Sequence, residues 1–249
     1  ATPGDALVRA KPEDCVSQAE QFKYRSGTGK LLHMMRWSRP EILNPVRELS
    51  RYMSGASMAH VKAMHRTMKY CIGKAQRGLL LKSNCGWNGD PSFEFVITGR
   101  SDSDYAKDTD TRKSVSGTLT FLNGSPINTR SNTQKSVTLS VTEAELVAAT
   151  QCAQDMLFDM RVIESMGLKV KKPMILEVDN KGAVDLTHNW SVGGRTRHVE
   201  VRQYFLRDLK EENVIVAKWI SGDSNSSDLF TKNLPGPLFE KHMATYCGE

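Results

Sequence analysis

The stretch Gly117-Thr118-Leu119-Thr120-Phe121-Leu122-Asn123-Gly124-Ser125-Pro126-Ile127-Asn128-Thr129-Arg130 decides the fold class. Two strand-like runs flank an Asn-Gly pair, whose residues tolerate the positive φ of a tight hairpin turn. With the apolar run Phe93–Thr98 leading into Asp102, they predict three successive antiparallel strands. Beyond the hairpin the period lengthens to that of a helix, from about Thr142 to Met166, stopped by Gly167 and then Pro173. Met174–Val178 is a short apolar run that reads as a buried strand. Helices are then predicted at Lys181–His188 and Val199–Glu212, punctuated by Gly193-Gly194, followed by a strand at Val214–Ile220 and a short helix at Ser226–Lys232. This order predicts an α/β fold with a mixed five-stranded sheet covered on both faces.

Upstream, Tyr24–Gly73 reads as three helices. Leu31, Leu32, Met34 and Met35 lie in the first; Ser38 caps the second, which carries Pro40, Ile42, Val46, Leu49 and Met53; the third runs from about Ser57 through Val61, Met64, Met68 and Ile72. Methionines at helical spacing read as core filler. The stretch before it mixes Pro, Gly and charge with few large apolar residues. The expected domains are therefore a flexible arm over 1–23, a basic helical module over 24–82, the α/β domain over 93–235 and a tail over 236–249. Ser26-Gly27-Thr28-Gly29-Lys30 invites a phosphate-loop reading, but that motif needs Gly where Tyr24 stands and Ser or Thr where Leu31 stands, which rejects it.

The chain has 249 residues, 39% of them hydrophobic and 25% charged, which excludes collagen, coiled coil and wholesale disorder. No run of 18 apolar residues occurs, and Ala1-Thr2-Pro3-Gly4-Asp5 lacks the blocks of a signal peptide, so no membrane partner is expected. The five cysteines are odd in number and scattered, with no Cys-x-x-Cys, which predicts free thiols in a reducing, intracellular compartment and no zinc site. Charge is uneven: residues 1–95 carry 15 basic and 8 acidic groups, residues 96–249 carry 19 and 20, and Tyr24–Lys82 carries 12 and 2. Such a surface attracts a polyanion, and nucleic acid is the first partner to consider; a solvated basic face is the plain alternative.

Four acids fall at the ends of predicted elements: Asp102 ends the first strand, Glu145 lies in the first turn of the long helix, Asp179 ends the fourth strand and Asp228 opens the last helix. If the fourth strand lies beside the first, Asp102 and Asp179 end side by side. Close like charges repel unless a multivalent cation sits between them. Oxygen-rich sites suit Mg²⁺ or Mn²⁺, and two such ions about 4 Å apart are a standard means of cutting a phosphodiester. The four acids together point to a metal-dependent nuclease. Each has a structural alternative: Thr142-Glu143-Ala144-Glu145 is a capping box, Asp228 a first-turn charge, Asp179-Asn180 a turn. Asp104 would share the face of Asp102 and reads as an accessory. Glu143 lies roughly 200° around the helix from Glu145, so only one of them can face the site, and the neighbouring Leu146 and Ala149 favour Glu145.

These residues carry a resemblance. Ser101-Asp102-Ser103-Asp104-Tyr105-Ala106, Ser114-Val115-Ser116-Gly117, Leu139-Ser140-Val141-Thr142-Glu143-Ala144-Glu145, Val178-Asp179-Asn180, Thr196-Arg197-His198-Val199 and Asp228-Leu229-Phe230-Thr231-Lys232 closely resemble the ribonuclease H domain of copia-type retrotransposon polyproteins. Tyr24-Arg25-Ser26-Gly27-Thr28-Gly29, Arg39-Pro40-Glu41-Ile42 and Leu49-Ser50-Arg51-Tyr52-Met53 look like the thumb and connection of the same reverse transcriptase. The resemblance covers about residues 24–240 and implies a ribonuclease H-like sheet. It implies cleavage of the RNA strand of RNA–DNA hybrids, leaving 5′-phosphate and 3′-hydroxyl ends. Two Mg²⁺ ions, with Mn²⁺ as a substitute, would be held by Asp102, Glu145, Asp179 and Asp228. The helical module, with Lys30, Arg36 and Arg39, would grip the hybrid through phosphates. Ser103, Thr142 and Asn180 are placed to touch 2′-hydroxyls, and Arg197 and His198 to touch phosphate.

Departures matter as well. The polymerase signature Tyr-x-Asp-Asp is absent and the chain is too short for fingers and palm, so the expectation is a fragment, processed product or domesticated remnant that works with a separate polymerase portion, in a cytoplasmic virus-like particle or the nucleus. Ser221-Gly222-Asp223-Ser224-Asn225-Ser226-Ser227 lacks the histidine that many ribonucleases H carry there, for which His198 or His188 would substitute. Asn233 stands where Pro is usual, and Tyr105 where Trp is. Two competing readings are a non-catalytic nucleic-acid-binding subunit and a DNA nuclease of the same fold.

Overall fold

The computed structural model describes residues 2–4, 7–188 and 197–248, with the backbone alone for 197–200. The chain forms two compact units, Leu81–Thr231, and Ala1–Leu80 together with Lys232–Glu249.

In the first of these, β1 (Ile97–Asp104), β2 (Val115–Leu122) and β3 (Ser125–Thr133) form an antiparallel meander. Asn123 and Gly124 make the turn with φ of 48° and 82°, as a two-residue hairpin requires. There follow α4 (Val141–Ser165), β4 (Met174–Val178), α5 (Lys181–His188), α6 (Arg197–Glu211) and β5 (Ile215–Trp219). β4 pairs parallel to β1, and β5 parallel to β4, so the sheet order is β3-β2-β1-β4-β5. This is the expected mixed five-stranded sheet. Its first strand begins later than predicted, because Val96 leaves the ladder: its N–H donates to Asn123 Oδ1 and its carbonyl accepts from the Asn123 N–H, each at 2.8 Å. Glu94–Phe95 pairs separately with Lys169–Val170.

The core lies between the sheet and α4. Ile97, Met174, Leu176, Val178 and Ile215 meet Leu146, Cys152, Met156 and Ile163 with almost no solvent exposure. Each such side chain contributes about 1.5–3 kcal/mol by burial, before the entropy of ordering is subtracted. The opposite face of β1 and β2 is covered by a 3₁₀ turn, Ser226–Phe230, where the last helix of the α/β pattern was expected. Gly117 permits that approach: a Cβ there would lie 2.8 Å from the Ser227 carbonyl oxygen and 3.0 Å from Phe230 Cβ.

The other unit contains α1 (Gln18–Trp37), α2 (Leu43–Ser50), α3 (Met58–Gly73) and α7 (Gly236–Met243). α1 starts six residues before Tyr24, inside the stretch expected as an arm, because Ser17 and Glu20 form a reciprocal capping box. Ser26–Lys30 lies within this helix, and Gly27 lets α3 approach it: a Cβ would stand 2.3 Å from Met64 Sδ. The expected tail over 236–249 is a correction. It forms α7 and a two-residue pairing of Cys247–Gly248 with Gly78–Leu79, burying Phe239, Met243 and Tyr246. Phe239 and Met243, one turn apart, share an apolar face, and Phe239 meets the Tyr70 ring edge-on at 5.8 Å. All five cysteines are free thiols. Among the described residues no helix is long and apolar enough to cross a membrane.

Candidate metal centre

The parallel pairing of β1 with β4 aligns Ser101 with Val178, so Asp102 and Asp179 follow side by side. Along β1 the side chains alternate: Ser103 faces α4, and Asp102 faces the 3₁₀ turn on the other side. Glu145 comes from the second turn of α4. One carboxylate oxygen from each of Asp102, Glu145 and Asp179 lies within 4.8 Å of the others. Asp102 is 1% exposed and Glu145 is 3% exposed, with Asp179 half-buried.

Each acid is held by its own neighbours. Ser103 donates to Glu145 Oε1 twice, from its main-chain N at 3.1 Å and from Oγ at 2.7 Å. The Thr231 hydroxyl bonds Asp102 Oδ2 and also lies 3.0 Å from the Asp228 carbonyl. The main-chain oxygen of Asp179 accepts from Trp219 Nε1 at 3.1 Å. Asn225, fully buried, anchors the loop before the 3₁₀ turn: its Nδ2 donates to the Ser101 carbonyl at 2.8 Å and its Oδ1 accepts from Ser227 N at 3.3 Å.

The capping alternative for Glu145 is removed by the start of α4. Ser140 is the N-cap; its Oγ accepts from Glu143 N at 3.1 Å, and Glu143 Oε2 accepts from Leu139 N at 2.7 Å. Capping therefore occupies Glu143 and leaves Glu145 for the cluster. Two nearly buried carboxylates beside a third repel strongly without a counter-charge. Three hard oxygen donors converging from β1, α4 and the end of β4 fit a divalent cation such as Mg²⁺ or Mn²⁺.

Not every expected residue joins them. Asp228 is 9% exposed in the 3₁₀ turn, linked to Asp102 through Thr231, but it is not in the three-carboxylate group. Asp104 pairs with Lys107 at 2.9 Å and is likewise outside the group. Ser103, expected to meet nucleic acid, is 6% exposed and serves Glu145 instead. Thr142 and Asn180 are neighbours at the site's rim: a Cβ on Gly182 would lie 3.4 Å from Thr142 Oγ1 and 3.3 Å from Asn180 Oδ1. The side chains of Arg197 and His198 lie outside the described residues. His188 is seven positions from Lys181, about 10 Å along α5, and its Nε2 bonds the Ala217 carbonyl at 3.0 Å.

In the helical unit Lys30 and Arg36 are exposed on α1, as phosphate contacts need to be. Arg39 is a correction: it is 3% exposed, paired with the fully buried Glu41 at 2.6 Å, and its guanidinium lies over the Tyr70 ring. A charge so enclosed is structural. Thr231 and Trp219 are contributors that sequence patterns do not single out; Thr231 does lie in the Asp228–Lys232 block, which is the only signal for it.

No family model matches the chain. It is 32% identical over 217 residues to the retrovirus-related Pol polyprotein from transposon TNT 1-94 of Nicotiana tabacum, a match covering 87% of this chain and 16% of that polyprotein. The corresponding polyprotein from transposon RE1 of Arabidopsis thaliana is 27% identical over 218 residues, covering 88% and 14%. The chain thus spans only a small part of the length of these relatives. Among solved structures, an RNase H1 isolated from compost aligns at 15% identity and a TM-score of 0.42, over 54% of this chain and 91% of that one. A complex of such an enzyme with an RNA/DNA hybrid aligns at 13% identity and a TM-score of 0.40, over 52% and 88%. Likenesses of that size add nothing to the argument from strand order.

Proposed function

This chain is homologous to a segment of the retrovirus-related Pol polyproteins of plant transposons, and on that premise we infer that it is a ribonuclease H, cutting the RNA strand of RNA–DNA hybrids. The observation that carries the reading is the convergence of Asp102, Glu145 and Asp179 within 4.8 Å, from three positions distant in sequence.

Asp102, Glu145 and Asp179 would hold two Mg²⁺ ions, Mn²⁺ substituting, with Asp228 of the 3₁₀ turn as the fourth ligand. When bound, the ions supply Lewis-acid activation of the attacking water and of the leaving oxygen. Hydrolysis adds the water oxygen to phosphorus and breaks the bond to the 3′-oxygen, which takes up a proton; the ends are a 5′-phosphate and a 3′-hydroxyl. Ser103 and the Thr231 hydroxyl fix the orientation of Glu145 and Asp102, so that neither carboxylate must reorganise during the reaction. Thr142 and Asn180 would meet 2′-hydroxyls across the minor groove, which would separate a hybrid from duplex DNA. Exposed Lys30 and Arg36 would add sequence-independent phosphate contacts, and the polymerase portion of the polyprotein is the expected protein partner.

One observation favours a second reading. Asp228 stands outside the carboxylate group, as it would in a remnant that binds nucleic acid without cutting it. Incubation of a labelled RNA–DNA hybrid, duplex DNA and duplex RNA with the protein in Mg²⁺ separates the readings. The nuclease reading expects cleavage of the RNA strand of the hybrid alone; salt-sensitive binding without cleavage in Mg²⁺ or Mn²⁺ supports the remnant.

A further inference from the structure

Trp219, the last residue of β5, is 46% exposed, whereas Ile215 and Ala217 earlier in the strand are buried. Two contacts account for that position. Its Nε1 donates to the main-chain oxygen of Asp179 at 3.1 Å, and the Lys181 ammonium lies over its ring, 4.6 Å from the centroid. The indole therefore ties the end of β5 to the turn from which the Asp179 carboxylate projects, one residue past the register pair Val178 and Trp219.

Lys181 is the more telling partner. It opens α5 two residues beyond Asp179, beside a group of three carboxylates. Among the described residues its ammonium nevertheless forms no ion pair and rests on the aromatic face. A lysine folded onto a carboxylate would compete with a divalent cation for that ligand. One held on a ring keeps its charge available and loses less rotamer freedom when an anion arrives.

We propose that Lys181, steadied by Trp219, binds a phosphodiester of the nucleic-acid strand lying across the carboxylate group, and that Trp219 is a positioning residue for Asp179. The proposal rests on the nuclease reading for the identity of the strand. A lysine suits the role because it meets a phosphate as a point charge without demanding fixed geometry. The half-exposed ring adds a face on which a base or sugar of the same strand can pack.

The test uses two readouts that need no cleavage. Fluorescence anisotropy of a labelled hybrid, titrated with the full chain in Ca²⁺ over a salt series, reads phosphate binding. Lys181→Gln is expected to weaken binding about three- to five-fold, the scale of one exposed ion pair, and to lower the slope of log affinity against log salt by about one. Mn²⁺ binding to the protein alone, read by electron paramagnetic resonance, reports on Asp179. Trp219→Phe keeps the ring under Lys181 but removes the N–H donor, so it is expected to weaken Mn²⁺ binding several-fold at unchanged melting temperature while hybrid affinity persists. Unchanged hybrid affinity and salt slope in Lys181→Gln would overturn the phosphate role, and unchanged Mn²⁺ affinity in Trp219→Phe would overturn the positioning role. A wild-type chain that binds hybrid without cutting it contradicts the nuclease reading and leaves this comparison intact. A wild-type chain that binds no hybrid overturns both.

Discussion

Ser103 holds the Glu145 carboxylate from two directions at once, with its main-chain N–H and its hydroxyl both on Oε1. Hydrogen bonds to a charged acceptor that fix a metal ligand commonly change metal affinity 10- to 100-fold when lost. Ser103→Ala removes the hydroxyl and keeps the N–H, so a loss of Mn²⁺ affinity of about ten-fold is expected, with little change in melting temperature. Calorimetric titration checks it; an unchanged affinity would show that the main-chain donor suffices.

Gly117 pairs across the sheet with Asp102, directly beneath the 3₁₀ turn. A methyl group there meets the Ser227 carbonyl oxygen at 2.8 Å and Thr231 Cγ2 at 2.9 Å, and backbone atoms cannot swing aside as a flexible side chain can. Gly117→Ala is expected to destabilise the fold by about 1–3 kcal/mol and to displace Thr231 from Asp102. Urea unfolding, together with Mn²⁺ titration, reads both effects.

The buried ion pair of Arg39 with Glu41 separates stability from binding in the helical unit. Arg39→Ala leaves Glu41 enclosed without its partner, a change that typically costs about 3–5 kcal/mol. Lys30→Ala and Arg36→Ala, on the exposed face of α1, are expected to leave stability unchanged and to weaken hybrid binding with a smaller salt slope. Thermal melts and anisotropy on the three variants check the division.

Parts of this arrangement are legible in the residues alone. Asn123-Gly124 specifies a hairpin through its positive φ values, and the apolar run Met174–Val178 specifies a buried strand, so the alignment of Asp102 with Asp179 follows once that strand lies beside β1. Spacing does not choose the cap of α4, because Ser/Thr-x-x-Glu occurs twice, at Ser140 with Glu143 and at Thr142 with Glu145; the earlier cap forms, and the difference decides which glutamate is free. The tail expected over 236–249 opens with Gly236-Pro237, and Pro in the first turn is how helices begin, as α7 does here. Charge alone cannot distinguish Arg39 from Lys30, since burial is a tertiary property. Trp219 acts on Asp179 across 40 residues, and Thr231 on Asp102 across 129, distances over which no local pattern speaks.

Burial raises the carboxyl of Asp159 above its ordinary value, against the opposing pull of the Thr120 hydroxyl and of Arg130. A carboxyl raised in the folded state favours folding in its protonated form, so its stabilising contribution is complete below the unfolded value near 3.8 and is lost as pH rises through the folded value. Asp159→Asn keeps an acceptor for the Thr120 hydroxyl without the charge. It is expected to raise the urea midpoint at neutral pH and to flatten the decline between acidic and neutral pH. A variant less stable than wild type at neutral pH would contradict this.

In the proposed function Asp102, Glu145 and Asp179 form one metal-dependent site for hydrolysis of RNA paired with DNA. The most direct measurement is cleavage of a hybrid labelled on its RNA strand, in Mg²⁺, by the wild-type chain and by Asp179→Asn at matched hybrid occupancy. The nuclease reading predicts cleavage by the wild type, its loss in the variant and retained hybrid binding in both. Equal cleavage by the two proteins, or none by the wild type in either Mg²⁺ or Mn²⁺ while hybrid is bound, would contradict it.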